Sequence, residues 1–368
     1  MRYVSTLAEG LVQRGHDVTI GCRPGSVLVE HAKAVGAIAL DTFNFKGGVR
    51  PEAWRNDLNE AMHFLKEKQP DIIHVNGSQD HWTLALANYW LERPMPLLRT
   101  RHNTYVVKNN LPNRLLNQQW TDYQIVVCDT VRRDLAAHPA FDEERLCTIH
   151  NGVDATLYES DPEQRRKARA EFDCADSDVV CGIVARLVAA KGHEFLFRAA
   201  AQLKAQCPQL RILVFGQGML EKQLRIMATE LGIASMVRFL GFRNDMNYCV
   251  QAFDICVQPS IDCDTSSFSM KEQMAAGIPV VASDYGGLTE IITNGEEGFI
   301  VPAGTVAPLA EALKMLIEMP DLREAMGHAG RRRVKADFSS DVFVKRTLDV
   351  YYSVIKQHSK AKEEGQSE

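Results

Sequence analysis

The stretch "DICVQPSIDCDTSSFSMKEQMAAGIPVVASDYGG" occupies residues 254–287. It opens on an apolar run, crosses a polar loop, and restarts at Ser266 and Ser267, residue types that cap helices. A helical segment follows and stops at Gly277, and a second apolar run begins at once. The order is strand, loop, helix, strand. Both strand runs lack polar alternation, so both faces of each strand are covered, as in parallel sheets with helices on either side. The loop carries Asp264 and the helix carries Glu272. On this stretch alone the two acids fit equally a ligand clamp and a cap beside a solvated helix residue.

The same alternation extends in both directions. Before it stand "DVTIGC" (17–22), "AIAL" (37–40), "DIIHVN" (71–76), "PLLRTRH" (96–102), "YQIVVCD" (123–129) and "LCTIHNG" (146–152). A second series comprises "DVVCGIVA" (178–185), "LRILVFG" (210–216), "MVRFLGF" (236–242), "DICVQPS" (254–260), "IPVVASD" (278–284) and "GFIVPAG" (298–304). Amphipathic helical stretches separate these runs, which predicts βαβ units. Two series predict two doubly wound α/β domains, with a polar boundary at 154–178. Ligands of such sheets bind beyond the carboxyl ends of the strands, and the cleft between two facing domains is the expected site.

Composition narrows the functional classes. The 368 residues carry a formal net charge of -5, which argues against nucleic acid as a partner. No apolar run approaches the roughly 18 residues that a membrane helix needs, and the start has no secretory signal pattern. The nine cysteines are scattered, with no CxxC pair, and read as reduced thiols of a cytoplasmic protein. No phosphate-loop, nucleophile-elbow or zinc-helix motif is present.

Several residues at strand ends have chemistry to offer. His102 ends one run, where by itself it reads more readily as a satisfied loop histidine than as a ligand-binding one. Arg186 and Lys191 lie between a strand and a helix, where two cations beside a helix N-terminus suit a diphosphate and fit a solvated turn equally well. Gly216 and Gly218 follow a strand, but Glu221 occupies the third position of a dinucleotide fingerprint, so a tight turn serves as well. Backbone amides around Ser266, Ser267, Phe268 and Ser269 begin a helix and can hold an anion.

In order along the chain, "LAEGLVQRGHDVTI", "PDIIHVN", "RTRH", "IHNGVD", "ARLVAAKG", "FGQG", "VRFLGF", "DICVQPS" and "DTSSFSMKEQMAAGIPVVASDYGGLTEII" make the sequence resemble glycosyltransferase family 4, retaining enzymes of the GT-B fold. The resemblance implies two Rossmann-like domains facing across a cleft. It implies residues 1–157 as the acceptor-side domain and 158–340 as the nucleotide-sugar domain. Residues 341–357 would form a helix returning to the N-terminal domain, with Phe343, Leu348, Tyr351, Tyr352 and Ile355 on its apolar stripe, and 358–368 a flexible tail. The implied reaction moves a sugar from a nucleotide-sugar donor to the hydroxyl of a saccharide or lipid-linked acceptor, with retention, without metal or other cofactor. Arg186 and Lys191 would hold the diphosphate. Glu272 would bind the ribose and Asp264 the donor sugar. The amides of Phe268 and Ser269 would meet the phosphates, with Ser266 and Ser267 beside them. Gly216, Phe242 and Arg243 would border the nucleotide, and His102 would lie near the reacting groups.

Three departures accompany the resemblance. Asp264 stands where the family has Glu, shortening the reach by about 1.5 Å. "DTSSF" replaces a glycine-rich loop. The chain opens on a helix, so the resemblance implies a missing first strand and Gly-Gly loop. These departures leave a non-catalytic or weakened nucleotide-sugar-binding protein as the alternative expectation. Residues 105–120 mix cations and apolar residues, which suits a loop plus a core-packing helix, or a weak peripheral contact at the inner face of a membrane. "RRRVK" (331–335) reads as a solvated helix end.

Overall fold

The computed structural model describes residues 1–45, 50–103 and 106–365. The chain divides into an N-terminal unit, 1–152 with 340–368, and a C-terminal unit, 153–339. The change of unit falls five residues before the sequence-based boundary at 157, because Val153 already pairs with Ser339 in the C-terminal unit.

In the N-terminal unit the strands are β1 Thr19–Gly21, β2 Ile38–Leu40, β3 Ile73–Val75, β4 Leu97–Arg101, β5 Tyr123–Val126 and β6 Leu146–Thr148. They form two parallel ladders, β1–β2 and β3–β4–β5–β6. All five residues of β4 are buried, although its sequence is Leu-Leu-Arg-Thr-Arg. Helix Arg2–Val12 packs on helix Ser340–Gly365.

That last helix buries Phe343, Val344, Thr347, Leu348, Tyr351 and Val354. Tyr352, assigned to the same stripe from the sequence, is 57% exposed. It follows Tyr351 by one residue and so turns about 100° away. Nor does the helix stop at 357, since 358–365 continue it. Lys, Ala and Glu there are good helix formers and extend an already nucleated helix at little cost. Residues 366–368 of the expected tail lie outside the described residues.

The C-terminal unit holds β7 Val179–Val184, β8 Leu210–Phe215, β9 Val237–Gly241, β10 Ile255–Gln258, β11 Val280–Ser283 and β12 Gly298–Val301. They form one parallel sheet in the order β12-β11-β10-β7-β8-β9. Helices cover both faces and two apolar clusters lie against them, one around Leu196, Phe197 and Ile212, the other around Phe172, Phe253 and Met274. The order reverses between β7 and β10, and a crevice at the carboxyl ends of such a pair is where doubly wound sheets take ligands. "RRRVK" is a helix end that is solvated only in part, with Arg332 and Lys335 exposed. It lies inside helix Pro320–Asp337, Val334 is fully buried, and Arg333 pairs with the buried carboxylate of Glu297 at 3.2 Å.

Candidate functional site

The loops after β7 and β10 meet at the reversal. After β7 the chain makes one turn of 3-10 helix, Ala189–Lys191, before helix His193–Leu203. The amides of Ile261 and Asp262 donate to the carbonyl of Ala190 at 2.9 and 3.2 Å, tying the β10 loop to it. Gly192 makes this possible. Its φ is +67°, and a Cβ there would lie 1.9 Å from the carbonyl oxygen of Pro259.

Lys191 and Asp264 come together at this seam. Lys191 Nζ lies 2.8 Å from Asp264 Oδ2 and donates also to the carbonyl of Cys263 at 3.2 Å. The same carboxylate oxygen accepts from Gln258 Nε2 at 2.9 Å and Ser260 Oγ at 2.8 Å. Lys191 from the β7 loop, and Gln258 and Ser260 from the end of β10, therefore hold Asp264 in place. The shorter side chain reaches Lys191 and is turned toward the sheet end. Gln258 and Ser260 were not singled out from the sequence, because at the end of an apolar run they read as strand residues.

Helix Phe268–Ala275 starts beside this group. Ser267 is its N-cap and accepts from the amide of Met270 at 3.2 Å, and its hydroxyl lies 3.1 Å from that of Ser269. Ser266 accepts from Lys271 Nζ at 2.7 Å. Lys271, also missed in the sequence, is fully buried, with its ammonium 4.9 Å from the centre of the Phe338 ring. Glu272 is buried one turn into the helix. Gly287 donates its amide to the carbonyl of Asp264 at 3.1 Å, so the loop after β11 closes over the same point.

The other residues expected from the sequence to border a nucleotide spread along the sheet edge. Arg186 is exposed just after β7. Gly216 follows β8 and donates to the carbonyl of Gly241 at 2.7 Å. Phe242 is 66% exposed. Arg243 is engaged by Asp245 through two bonds of 2.7 and 2.6 Å and by Glu171 at 2.7 Å. These bonds push the guanidinium further up and hold the Asp245 carboxyl at about 2.

His102 belongs to the N-terminal unit, immediately after β4. Its Nε2 lies 3.0 Å from Asn76 Oδ1, and its ring meets Tyr3 edge-on at 4.6 Å. Burial first, then nearby cationic groups including Arg99, lowers it to about 4, so it is neutral at physiological pH. Beside it, His74 bonds Thr100 Oγ1 at 2.7 Å and the hydroxyl of Tyr351, and burial lowers it to about 3. Between 105 and 120, Tyr105 lies outside the described residues. Helix Leu111–Arg114 runs into a π-turn at Leu115–Gln119 that buries Leu116 and Asn117, while Val106 and Leu111 are exposed. Among the described residues no helix is long and apolar enough to cross a membrane.

A two-domain sheet architecture with its ligand edge at a reversal defines the GT-B class. Structural likeness agrees. A glycosyltransferase from Rickettsia africae ESF-5 superposes with a TM-score of 0.87 at 21% identity, over 96% of this chain and 94% of that one. Anabaena Alr3699/HepE, solved with UDP-glucose, gives 0.80 at 20% identity, over 96% of each. Sequence models narrow the class. "Glycosyltransferase Family 4" matches residues 2–157 and "Glycosyl transferases group 1" matches 164–333. The chain belongs to glycosyltransferase family 4. Among named relatives, the putative glycosyltransferase EpsD of Bacillus subtilis (strain 168) is 31% identical over 201 residues, 55% of this chain. The match spans 52% of that protein, about half its length.

Proposed function

We propose that the protein transfers a sugar from a nucleotide-sugar donor to an acceptor hydroxyl with retention of configuration. The observation that carries this reading is the meeting of Lys191, Asp264 and a capped helix N-terminus at the sheet reversal. The complex of Alr3699/HepE with UDP-glucose supports a nucleotide sugar as donor. Lys191 and Arg186 take the diphosphate, where negative charge accumulates as the bond to the anomeric carbon breaks. The amides of Phe268 and Ser269, with Ser266 and Ser267 beside them, meet the phosphates. Glu272 receives the ribose hydroxyls, and Gly216, Phe242 and Arg243 border the base. Asp264 sets Lys191 and presents its other oxygen to the sugar. The new bond forms on the face the diphosphate leaves, and the acceptor proton passes to a leaving phosphate oxygen. His102, neutral, orients the attacking hydroxyl as a hydrogen-bond partner.

In this reading the two cations supply the charge compensation, so no divalent ion is needed. Transfer that persists in EDTA supports this. The acceptor is a saccharide or lipid-linked saccharide of polysaccharide, lipopolysaccharide or glycolipid synthesis at the cytoplasmic side of the cell envelope. Val106 and Leu111, with Lys108 and Arg114, would make the peripheral membrane contact, and failure to co-sediment with anionic vesicles removes that part.

The test is a transfer assay with UDP-, GDP- and ADP-sugars, using the wild type, Arg186→Ala and Lys191→Ala. A loss of about 100-fold or more in kcat for Lys191→Ala is expected; undiminished turnover in both variants rejects the diphosphate role. One observation favours a second reading. Asp264 already occupies Lys191, as in a nucleotide-sugar-binding protein with weakened turnover. Calorimetric donor binding without product formation would select it.

A further inference from the structure

Both arginines of β4 are buried on one face of the strand, two residues apart. Arg99 is 8% exposed and Arg101 9%. Arg101 donates from Nε to Gln124 Oε1 and from Nη2 to Asn117 Oδ1, both at 2.8 Å, and its guanidinium carbon lies 4.7 Å from the centre of the Phe141 ring. Arg99 donates to His81 Nδ1 and, at 3.4 Å, to Ser78 Oγ. Its buried Nε has no partner among the described residues. The hydroxyl of Thr121 donates to the carbonyl of Leu116 at 2.6 Å and is 2.7 Å from His81 Nε2. Nε2 therefore carries the ring proton, Nδ1 is the acceptor for Arg99, and His81 is neutral. Asp80 acts on Arg99 at longer range. Its oxygens accept from the amides of Asn76, Gly77 and His81.

Every hydrogen-bond partner of the two guanidiniums among the described residues is thus uncharged. A buried cation without a counter-charge costs several kcal/mol, and two side by side cost more. Burial, with Arg99 adding to it, lowers Arg101 to about 8, and burial lowers Arg99 to about 10. A network built only for packing would use apolar side chains or carboxylate partners here. Arg101 is the last residue of β4, at the ligand end of a parallel sheet, and Arg99 stands two residues before it; the planar guanidinium fork matches an oxyanion through paired bonds.

We propose that Arg99 and Arg101 form a subsite for an oxyanion, a phosphate or carboxylate group carried by the ligand of the N-terminal unit. That this ligand is the sugar acceptor rests on the transferase reading; the anion site itself does not.

The experiment is thermal unfolding of the full chain, read by tryptophan emission. All four tryptophans, Trp54, Trp82, Trp90 and Trp120, lie in the N-terminal unit. Inorganic phosphate is titrated against chloride at constant ionic strength, with glucuronate as a separate carboxylate arm. The midpoint should rise by about 2–4 °C near saturation, in the wild type and equally in Lys191→Ala, which lacks the donor-side lysine. Arg101→Met should start at an equal or higher midpoint in chloride and lose the response. Arg101→Lys, which keeps the charge without the fork, should bind the anion at least about tenfold more weakly, and it carries the test if Arg101→Met does not fold. A response to phosphate alone, or to glucuronate alone, identifies the group. A wild-type midpoint indifferent to both anions, or a full response in Arg101→Met or Arg101→Lys, overturns the proposal. A failed transfer assay beside an intact anion response would reject the acceptor assignment and leave the subsite.

Discussion

The two units treat buried charge in opposite ways. In the C-terminal unit, Lys191 faces Asp264 at 2.8 Å and Arg169, 4% exposed at its side chain, faces Asp254 at 3.1 Å. In the N-terminal unit, Arg99 and Arg101 face a histidine, two amides and a hydroxyl, while His74, His81 and His102 are held neutral by burial. The first arrangement is internally neutral, each cation facing a carboxylate. The second holds positive charge in reserve and depends on solvent protons staying out. The unit with paired charges is therefore preorganised, whereas the other is completed by what it binds.

Acid should expose this most strongly. The folded histidine values of about 3 for His74 and about 4 for His102 lie below the unfolded value of 6.5, and that of His81 lies well below it. The unfolded chain therefore binds more protons between those values. The stabilisation is complete above pH 6.5 and is lost as pH falls through the window. His102 alone accounts for about 3 kcal/mol by pH 4, at about 1.4 kcal/mol per unit. The C-terminal unit has one comparable group, His193, at about 4. Tryptophan emission should shift to its unfolded value between pH 6.5 and 4, while amides of β7 and β10 stay protected in hydrogen exchange. An unchanged spectrum at pH 4 would break the contrast.

Substitution of one cation in each unit gives the next effect in size. Lys191→Met strips the counter-charge from buried Asp264 and should destabilise the C-terminal unit by about 3 kcal/mol. Arg101→Met removes a charge that has no counter-charge and should leave the N-terminal unit as stable or more so. Chemical denaturation, followed by exchange for the first and tryptophan emission for the second, reads the two signs. Equal losses would mean that Arg101 is paired in solution by a group absent from its neighbours here.

How much of this contrast was legible in the sequence depends on distance along the chain. The twelve strands described stand out as apolar runs, most clearly β10 and β11, which are buried throughout and have no polar alternation to hide them. The helix after Ser267 is likewise local. What the sequence does not show is partnership. Lys191 and Asp264 meet only because β10 lies beside β7, a fact of sheet order. "LLRTR" reads as a strand ending in polar residues, and only the fold reveals that both arginines are buried with no carboxylate among their hydrogen-bond partners. The buried stripe of the last helix passes through Tyr351 and Val354 and skips Tyr352. That helix outruns its apolar pattern because its surface residues favour helix by themselves.

Backbone strain offers a smaller test. Gly192 and Gly15 both adopt left-handed φ, +67° and +83°. A Cβ on Gly15 would meet no atom within 4 Å, whereas one on Gly192 would strike the Pro259 carbonyl at 1.9 Å. Gly15→Ala should cost about 1 kcal/mol, the conformational term alone. Gly192→Ala should cost on the order of 2–3 kcal/mol and separate the two loops that bring Lys191 to Asp264. Its donor affinity should fall too; an affinity equal to the wild type would show that the loops need not touch.

The smallest effect separates stability from function. Ser26 caps helix Val27–Val35 in the N-terminal unit, accepting from the amide of Leu28 at 3.3 Å, and Ser267 caps Phe268–Ala275 in the other, accepting from Met270 at 3.2 Å. Each Ser→Ala change should cost about 1 kcal/mol in denaturant unfolding, since each leaves one helix amide without its side-chain acceptor. Only Ser267→Ala should also raise the KM for the donor, because only that helix start belongs to the proposed phosphate site. Ser26→Ala lies on a surface helix outside both sites and should leave KM and kcat where they were. If the two variants changed KM alike, the helix after β10 would be a structural element with no part in holding the donor.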